Sequence, residues 1–167
     1  MRIETAELES VEATIRALNK LIEVCMDGEL GYRTAADHLR DSKLRIILTD
    51  YGIRRAQFAA ELGAEVERLG GRPSHSGSMT ASLHRGWIAL KAAVLGSDQK
   101  AIIAACETGE AAAAISYEAA VNSKKVLNES RSVIEKQRQA IDQACEWLRG
   151  VHQELASGSH LPGLSDA

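Results

Sequence analysis

Four long stretches of this sequence carry apolar residues three and four positions apart, which is the spacing of one face of an α-helix. They cover about residues 10–39, 42–69, 98–122 and 129–155. The chain is only 4% aromatic, has two prolines and is rich in alanine, a composition that favours close-packed helices over sheets. The sequence therefore predicts an all-α protein.

The connections predict how these helices pair. Only a short break near Arg40 separates the first two stretches, with Asp41 or Ser42 as the N-cap, so the two helices should be antiparallel neighbours. Gly70-Gly71 ends the second helix. The polar segment 123–128 turns the chain back between the last two stretches in the same way. Two antiparallel hairpins are expected.

The segment between the hairpins is long enough to run from one end of the protein to the other. Residues 72–78 have loop composition, and residues 79–95 form a shorter helical pattern that would span about 25 Å. Two antiparallel hairpins joined by a long crossover are the ferritin-like arrangement. We predict a ferritin-like four-helix bundle with a helical crossover between core helices 2 and 3. It should form one domain over residues 1–156, followed by a disordered tail over residues 157–167.

Charge and cysteine usage bound the possible partners. The formal net charge is -3, with 20 basic and 23 acidic residues spread along the chain, which argues against nucleic acid and membrane surfaces as partners. The acidic N-terminal segment lacks the apolar run of a signal peptide, so a cytoplasmic protein is expected. Three cysteines without C-x-x-C spacing favour reduced core thiols over a metal or redox role; they are Cys25, Cys106 and Cys145.

One carboxylate interrupts the apolar stripe of the first helix. Glu29 lies on that stripe between Gly28 and Gly31, and a buried carboxylate requires partners. Counting residues from the helix ends places arginines and a second carboxylate within about one turn of the same depth, with tyrosine hydroxyls nearby. The predicted buried network consists of Glu29, Arg55, Glu110, Arg138, Tyr32 and Tyr117. Two alternatives stay open, in which Glu29 is rotated to the solvated edge of its helix, or Glu107 and Glu110 lie on an exposed face.

Metal binding is the alternative use of the same carboxylates. A di-metal site of this fold needs single glutamates on two helices and Glu-x-x-His on the other two. None of the five histidines follows a glutamate at that spacing, so no cofactor is predicted. An unusual iron or manganese site would have to draw on Glu29, Glu61, Glu107 and Glu110.

Several segments resemble a bacterial family of ferritin-like four-helix-bundle proteins catalogued as a domain of unknown function. The resemblance covers about residues 18–148 and lies in LNKLIE (18–23), DGELGYRTAA (27–36), RAQFAAEL (55–62), LGG (69–71), GS (77–78), LHRGW (83–87) and CETGE (106–110). It implies the ferritin-like fold and, loosely, stress-associated relatives. It supplies no reaction and no ligand set.

These observations favour a non-enzymatic, stress-associated structural or interaction protein that self-associates and whose metal layer is replaced by a buried Arg/Glu network. The alternative is a divergent iron or manganese carboxylate protein with oxidase or metal-binding activity. A small-molecule or redox-sensing bundle that uses the three cysteines is a third hypothesis.

Overall fold

A computed structural model of the chain describes residues 2–77 and 81–158, and within these ranges it is all-α, without strands. Its five helices are α1 (Arg2–His38), α2 (Ser42–Arg68), α3 (Ala81–Leu95), α4 (Gln99–Asn122) and α5 (Asn128–Ser157). The all-α prediction is confirmed. Residues 159–167 of the predicted disordered tail, and the predicted helix start at residues 79–80, lie outside the described residues.

The first helix begins about two turns earlier than its apolar pattern predicts. Residues 4–9 are exposed, so no buried stripe marks this part of α1 in the sequence. Three of these six residues are Glu, whose intrinsic preference for helix does not depend on packing. Periodicity therefore located the part of α1 that has a buried face and missed the exposed residues before it.

Contacts along the helices define their directions. On α1 and α2, Tyr32 lies beside Gly52, whereas Asn19 donates a hydrogen bond over 3.0 Å to the carbonyl of Arg72, just after α2 ends. On α4 and α5, Tyr117 contacts Gln137 and Glu107 contacts His152. In both pairs one residue number rises as the other falls, so α1–α2 and α4–α5 are antiparallel pairs.

The connection between the pairs runs the length of the protein. Gly71, just after α2, lies against Ile15 in the first half of α1. At the other end of α1, the side-chain oxygen of Gln99 at the start of α4 accepts hydrogen bonds from the backbone N–H groups of Arg40 and Asp41, at 2.9 and 2.8 Å. The chain therefore returns to the α1–α2 turn before α4 begins, and α3 covers α1 and α4 on this path.

Aspartate side chains cap the N-termini of two helices. Asp41 accepts from the backbone N–H groups of Lys43 and Leu44, and Asp98 accepts from that of Lys100. Each bond satisfies a backbone donor that a helix start leaves free. Asp41 is one of the two N-cap residues that the sequence predicted for α2.

The core is divided along its length into two apolar clusters. The first lies at the α1–α2 turn and includes Leu39, Leu48 and Leu148; the second includes Leu18 and Leu62. On α1 the clusters meet between residues 25 and 32, and on α4 between residues 106 and 113. The two buried charged side chains of the described residues, Arg55 and Glu110, lie at this boundary. None of the helices in the described part of the chain combines the length and apolar character that a membrane span requires.

Candidate functional site

A buried ion pair lies between the two apolar clusters. The Nη2 group of Arg55 on α2 donates to Oε1 of Glu110 on α4, and the hydroxyl of Tyr32 on α1 donates to Oε2 of Glu110 over 2.6 Å. All three side chains are almost fully buried. The carboxylate thus has a partner on each oxygen, which is how a protein compensates for burying a charge. We call these three residues the central network.

Local features of α1 and α2 make room for this arginine. A side chain at Gly28 would meet the Arg55 Cδ at 3.3 Å, so the glycine lets the guanidinium stem cross α1 closely. The guanidinium also lies 5.6 Å from the ring centroid of Phe58. Burial raises the pKa of Tyr32, against the lowering effect of Arg55, so its hydroxyl stays protonated and remains a donor.

One atom of the network lacks a partner within the described chain. Nη1 of Arg55 is buried and makes no hydrogen bond. Other parts of the Arg55 side chain line a partly open, mostly apolar cavity of about 150 Å³ between α1, α3 and α4. An unsatisfied donor on a charged group is costly, so the burial of Arg55 is only partly compensated by its bond to Glu110.

Asp27 lines the same cavity, and it too has a buried atom without a hydrogen-bond partner in the described chain. Its Oδ2 is buried and has no hydrogen-bond partner in the described chain, while Oδ1 lies against Gly77 of the loop after α2. Burial, assisted by the negative charge of Glu23, raises the pKa of Asp27 from 3.8 to about 6. The carboxyl group therefore changes charge just below neutral pH.

This raised pKa predicts a measurable pH dependence. The native state binds the proton of Asp27 more tightly than the unfolded chain does, so the stabilisation by protonation is complete below about pH 4 and is lost as the pH rises through about 6. Asp27→Asn should raise the free energy of unfolding by about 1–2 kcal/mol at pH 8, a value discounted because the residue is only half-buried.

Urea unfolding of both proteins between pH 4 and pH 8 measures this difference. Asp37→Asn, at an exposed position on the same helix, is the matched control and should show no such trend. A difference between wild type and Asp27→Asn that stays constant with pH would contradict the assignment.

A second hydrogen-bonded chain lies in the apolar cluster that includes Leu18 and Leu62. The Tyr117 hydroxyl is 3.1 Å from the Cys25 Sγ and donates to Gln137 Oε1 over 2.7 Å. The Nε2 group of Gln137 then donates to Glu61 Oε2 over 2.8 Å. Burial raises the pKa of Tyr117, which keeps its hydroxyl protonated. Four helices are joined by this chain, because its members lie on α4, α1, α5 and α2.

Three predicted members lie outside the central network: Tyr117 belongs to the second hydrogen-bonded chain, and Glu29 and Arg138 belong to neither. Glu29 faces partly outward and pairs with Arg33 at 2.7 Å, one turn along the same helix. The buried face of α1 at this depth passes through Cys25, Gly28 and Tyr32, so the position facing the core is a glycine that leaves no hydrophobic signal. The first of the two open alternatives therefore describes Glu29: it lies at the edge of the helix.

Arg138 also lies outside the central network. It pairs at the surface with Glu118 and Asp142, at 3.9 and 3.6 Å. The residue of α5 that enters the core is its neighbour Gln137, which lies on the same buried face of the helix as Ile134 and Ile141. At the level of the central network, α5 instead presents the small residues Ala144 and Cys145, between Ile141 and Leu148 of the two clusters.

The carboxylates proposed as metal ligands do not converge. Glu107 pairs with His152 at 2.7 Å and lies 3.9 Å from Arg149, at the edge of the protein. Glu61 is bonded to Gln137, and both oxygens of Glu110 are occupied by Arg55 and Tyr32. Within residues 2–77 and 81–158 no three metal-ligating side chains come together. These donors do not fit a di-metal centre.

The three cysteines are unpaired and lie in or beside the core. Burial raises the pKa of all three thiols, that of Cys106 to about 12. A raised pKa disfavours the thiolate, which is the reactive form. Their environment is that of core residues.

The structure therefore defines an all-α protein whose core holds a buried ion pair between two apolar clusters. Residues 13–123 match the family model described as Domain of unknown function (DUF2383), and the chain belongs to that family. The match spans α1 from its buried part onward, α2, α3 and α4, and so includes every residue of the central network. No curated protein matches this sequence.

Proposed function

We propose that the chain is a ferritin-like four-helix bundle that acts without metal, as a stress-associated structural or interaction protein. The antiparallel α1–α2 and α4–α5 pairs, and a connection that runs the length of the protein, support the ferritin-like assignment. The observation that carries the metal-free function is the central network. A guanidinium occupies the depth at which bundles of this kind hold their metal ions, and it already uses the carboxylate that a metal would need.

The competing function is a divergent iron or manganese protein. It would require Glu110 to exchange Arg55 and Tyr32 for metal ions, and Glu29 and Glu107 to turn inward from surface pairs. A cation close to Arg55 would also be repelled by its charge. The arrangement of charges therefore favours the metal-free function.

Elemental analysis distinguishes the two. Protein purified without chelator should contain no stoichiometric iron or manganese and should not accelerate the oxidation of added ferrous ion by oxygen or peroxide. Stoichiometric metal that is lost in Glu110→Gln, or ferrous oxidation abolished by that change, would establish the competing function.

Self-association is the mode of action that we propose for the bundle. Ile46 and Ile53 lie two turns apart on α2 and are 69% and 54% exposed, so they form an apolar strip on its outer side. An antiparallel contact between two copies of α2 would bring Ile46 of each against Ile53 of the other. This is the self-complementary geometry of a two-fold dimer.

We expect the wild-type protein to be a dimer by light scattering coupled to size exclusion. The double change Ile46→Glu and Ile53→Glu should give a monomer with an unchanged melting temperature. Ile115→Glu alters an equally exposed isoleucine on α4 and should leave the dimer intact. A wild-type monomer, or a dimer that survives the double change, would rule out this interface.

A further inference from the structure

The partly open cavity between α1, α3 and α4 has walls made mostly of apolar side chains. Its volume is about 150 Å³, and a cavity of that volume in a protein core is large enough for a benzene-sized molecule. Trp87 and Leu90 of α3 form one wall, and Val24 of α1 and Ala105 of α4 form others. Leu30 also lines the cavity and is 48% exposed, so the rim of the opening carries an apolar side chain as well.

The polar side chains around the cavity offer an occupant few hydrogen bonds. Both oxygens of Glu110 already accept, one from Arg55 and the other from Tyr32. Two buried polar atoms lack a partner in the described chain, Nη1 of Arg55 and Oδ2 of Asp27, but they have almost no accessible surface and so are not presented to an occupant. A charged or hydrogen-bonding ligand would lose its water and gain little in exchange. The cavity therefore favours an apolar molecule.

Two helical glycines leave the cavity wider than alanines would. Gly31 of α1 and Gly109 of α4 line it, and a Cβ atom at either position would meet no other helix within 4 Å. No close contact between helices requires glycine there, although glycine inside a helix is less favourable than alanine. The two residues thus lower the stability of their helices and keep space free at the cavity.

The volume and the walls also define the size of the occupant. Water is a poor occupant of an apolar cavity, because a buried water molecule needs several polar partners. An apolar molecule of about six or seven carbon atoms fills such a volume and regains the dispersion contacts that empty walls lack.

We propose that this cavity binds one small, neutral, apolar molecule of about the size of toluene. The ligand packs against Trp87 and Leu90 of α3 and Val24 of α1 and makes no hydrogen bond. Because the site exists only in the folded protein, the ligand stabilises the fold. The exposed isoleucines of α2 do not line the cavity, so the proposal does not depend on self-association.

Calorimetric titration with toluene tests this directly, with phenol as the matched probe. Toluene should bind one-to-one and raise the melting temperature. Phenol has nearly the same shape but carries a hydroxyl group that would be buried without a partner, so it should bind at least about tenfold more weakly. Trp87 gives a second readout by fluorescence, because Trp147→Phe leaves it as the one tryptophan of the chain.

Two variants that fill the cavity and one control locate the site. Ala105→Leu enlarges a side chain of the wall and should abolish toluene binding. Gly31→Leu adds a side chain at a lining position with no other helix within 4 Å, so it should fold even if Ala105→Leu does not, and it should also abolish binding. Ala111→Leu makes the same change as Ala105→Leu at an exposed position of α4 and should bind toluene like the wild type.

Four results would each overturn the proposal. They are absence of toluene binding by the wild type, binding of phenol as tight as that of toluene, toluene binding that survives in a folded filling variant, and loss of binding in folded Ala111→Leu.

Discussion

Replacing Arg55 by methionine should lower the free energy of unfolding by about 3–5 kcal/mol. The change keeps an apolar stem of similar length but leaves Glu110 as a buried carboxylate with only the Tyr32 hydroxyl as partner. Removing one member of a buried ion pair costs far more free energy than the pair contributes on balance. The remaining charge is then buried away from water without a compensating partner. Urea unfolding at pH 7 measures the loss.

Arg54→Met is the matched control for this prediction. Arg54 is the preceding residue on α2 and pairs with Asp50 at 3.1 Å, where both side chains are about half exposed. Surface pairs of this kind contribute little, so the control should change stability by less than about 1 kcal/mol. Equal effects of the two substitutions would show that Arg55 is not buried against Glu110.

Gln137→Leu should lower the free energy of unfolding by about 2–3 kcal/mol. Leucine fills a similar volume, so the loss would come from hydrogen bonds: Tyr117 loses its acceptor and Glu61 loses its donor. The effect should be smaller than that of Arg55→Met because no fully buried charge is left alone. Thermal and urea unfolding should agree on this order.

Gln139→Leu makes the same chemical change at an exposed position of α5 and should be close to neutral. Adding Tyr117→Phe to Gln137→Leu removes the stranded hydroxyl, so the double variant should be more stable than the sum of the single losses implies. Strict additivity would mean that Tyr117 and Gln137 do not interact.

Much of the helical organisation could be predicted from the sequence because it depends on local signals. The apolar spacing located the core-packed part of each helix, and Asp41 marked the start of α2. The start of α1 was missed because residues 4–9 are exposed. Apolar periodicity reports burial, so it carries no information about a helix that extends into solvent.

The position of the site along the helices was easier to predict than the identity of the side chains that face the core there. Counting from helix ends brought Arg55 and Glu110 to one level, and the structure joins them. The rotation of each helix about its axis determines which of its side chains face the core. A difference of about 100° separates Glu29 from Gly28 and Arg138 from Gln137, and counting along a helix to within a turn cannot resolve it. The cavity could not be foreseen at all, because it depends on how α3 lies across α1 and α4.

A mutant cycle between Arg55 and Glu110 tests the central claim, that a buried ion pair organises this core in place of metal. Urea unfolding would compare the wild type, Arg55→Met, Glu110→Gln and the double variant. The double variant should be about 1–2 kcal/mol more stable than Arg55→Met alone, because glutamine removes the uncompensated charge and can still accept from Tyr32. A double variant as unstable as the sum of its two single changes would contradict the account.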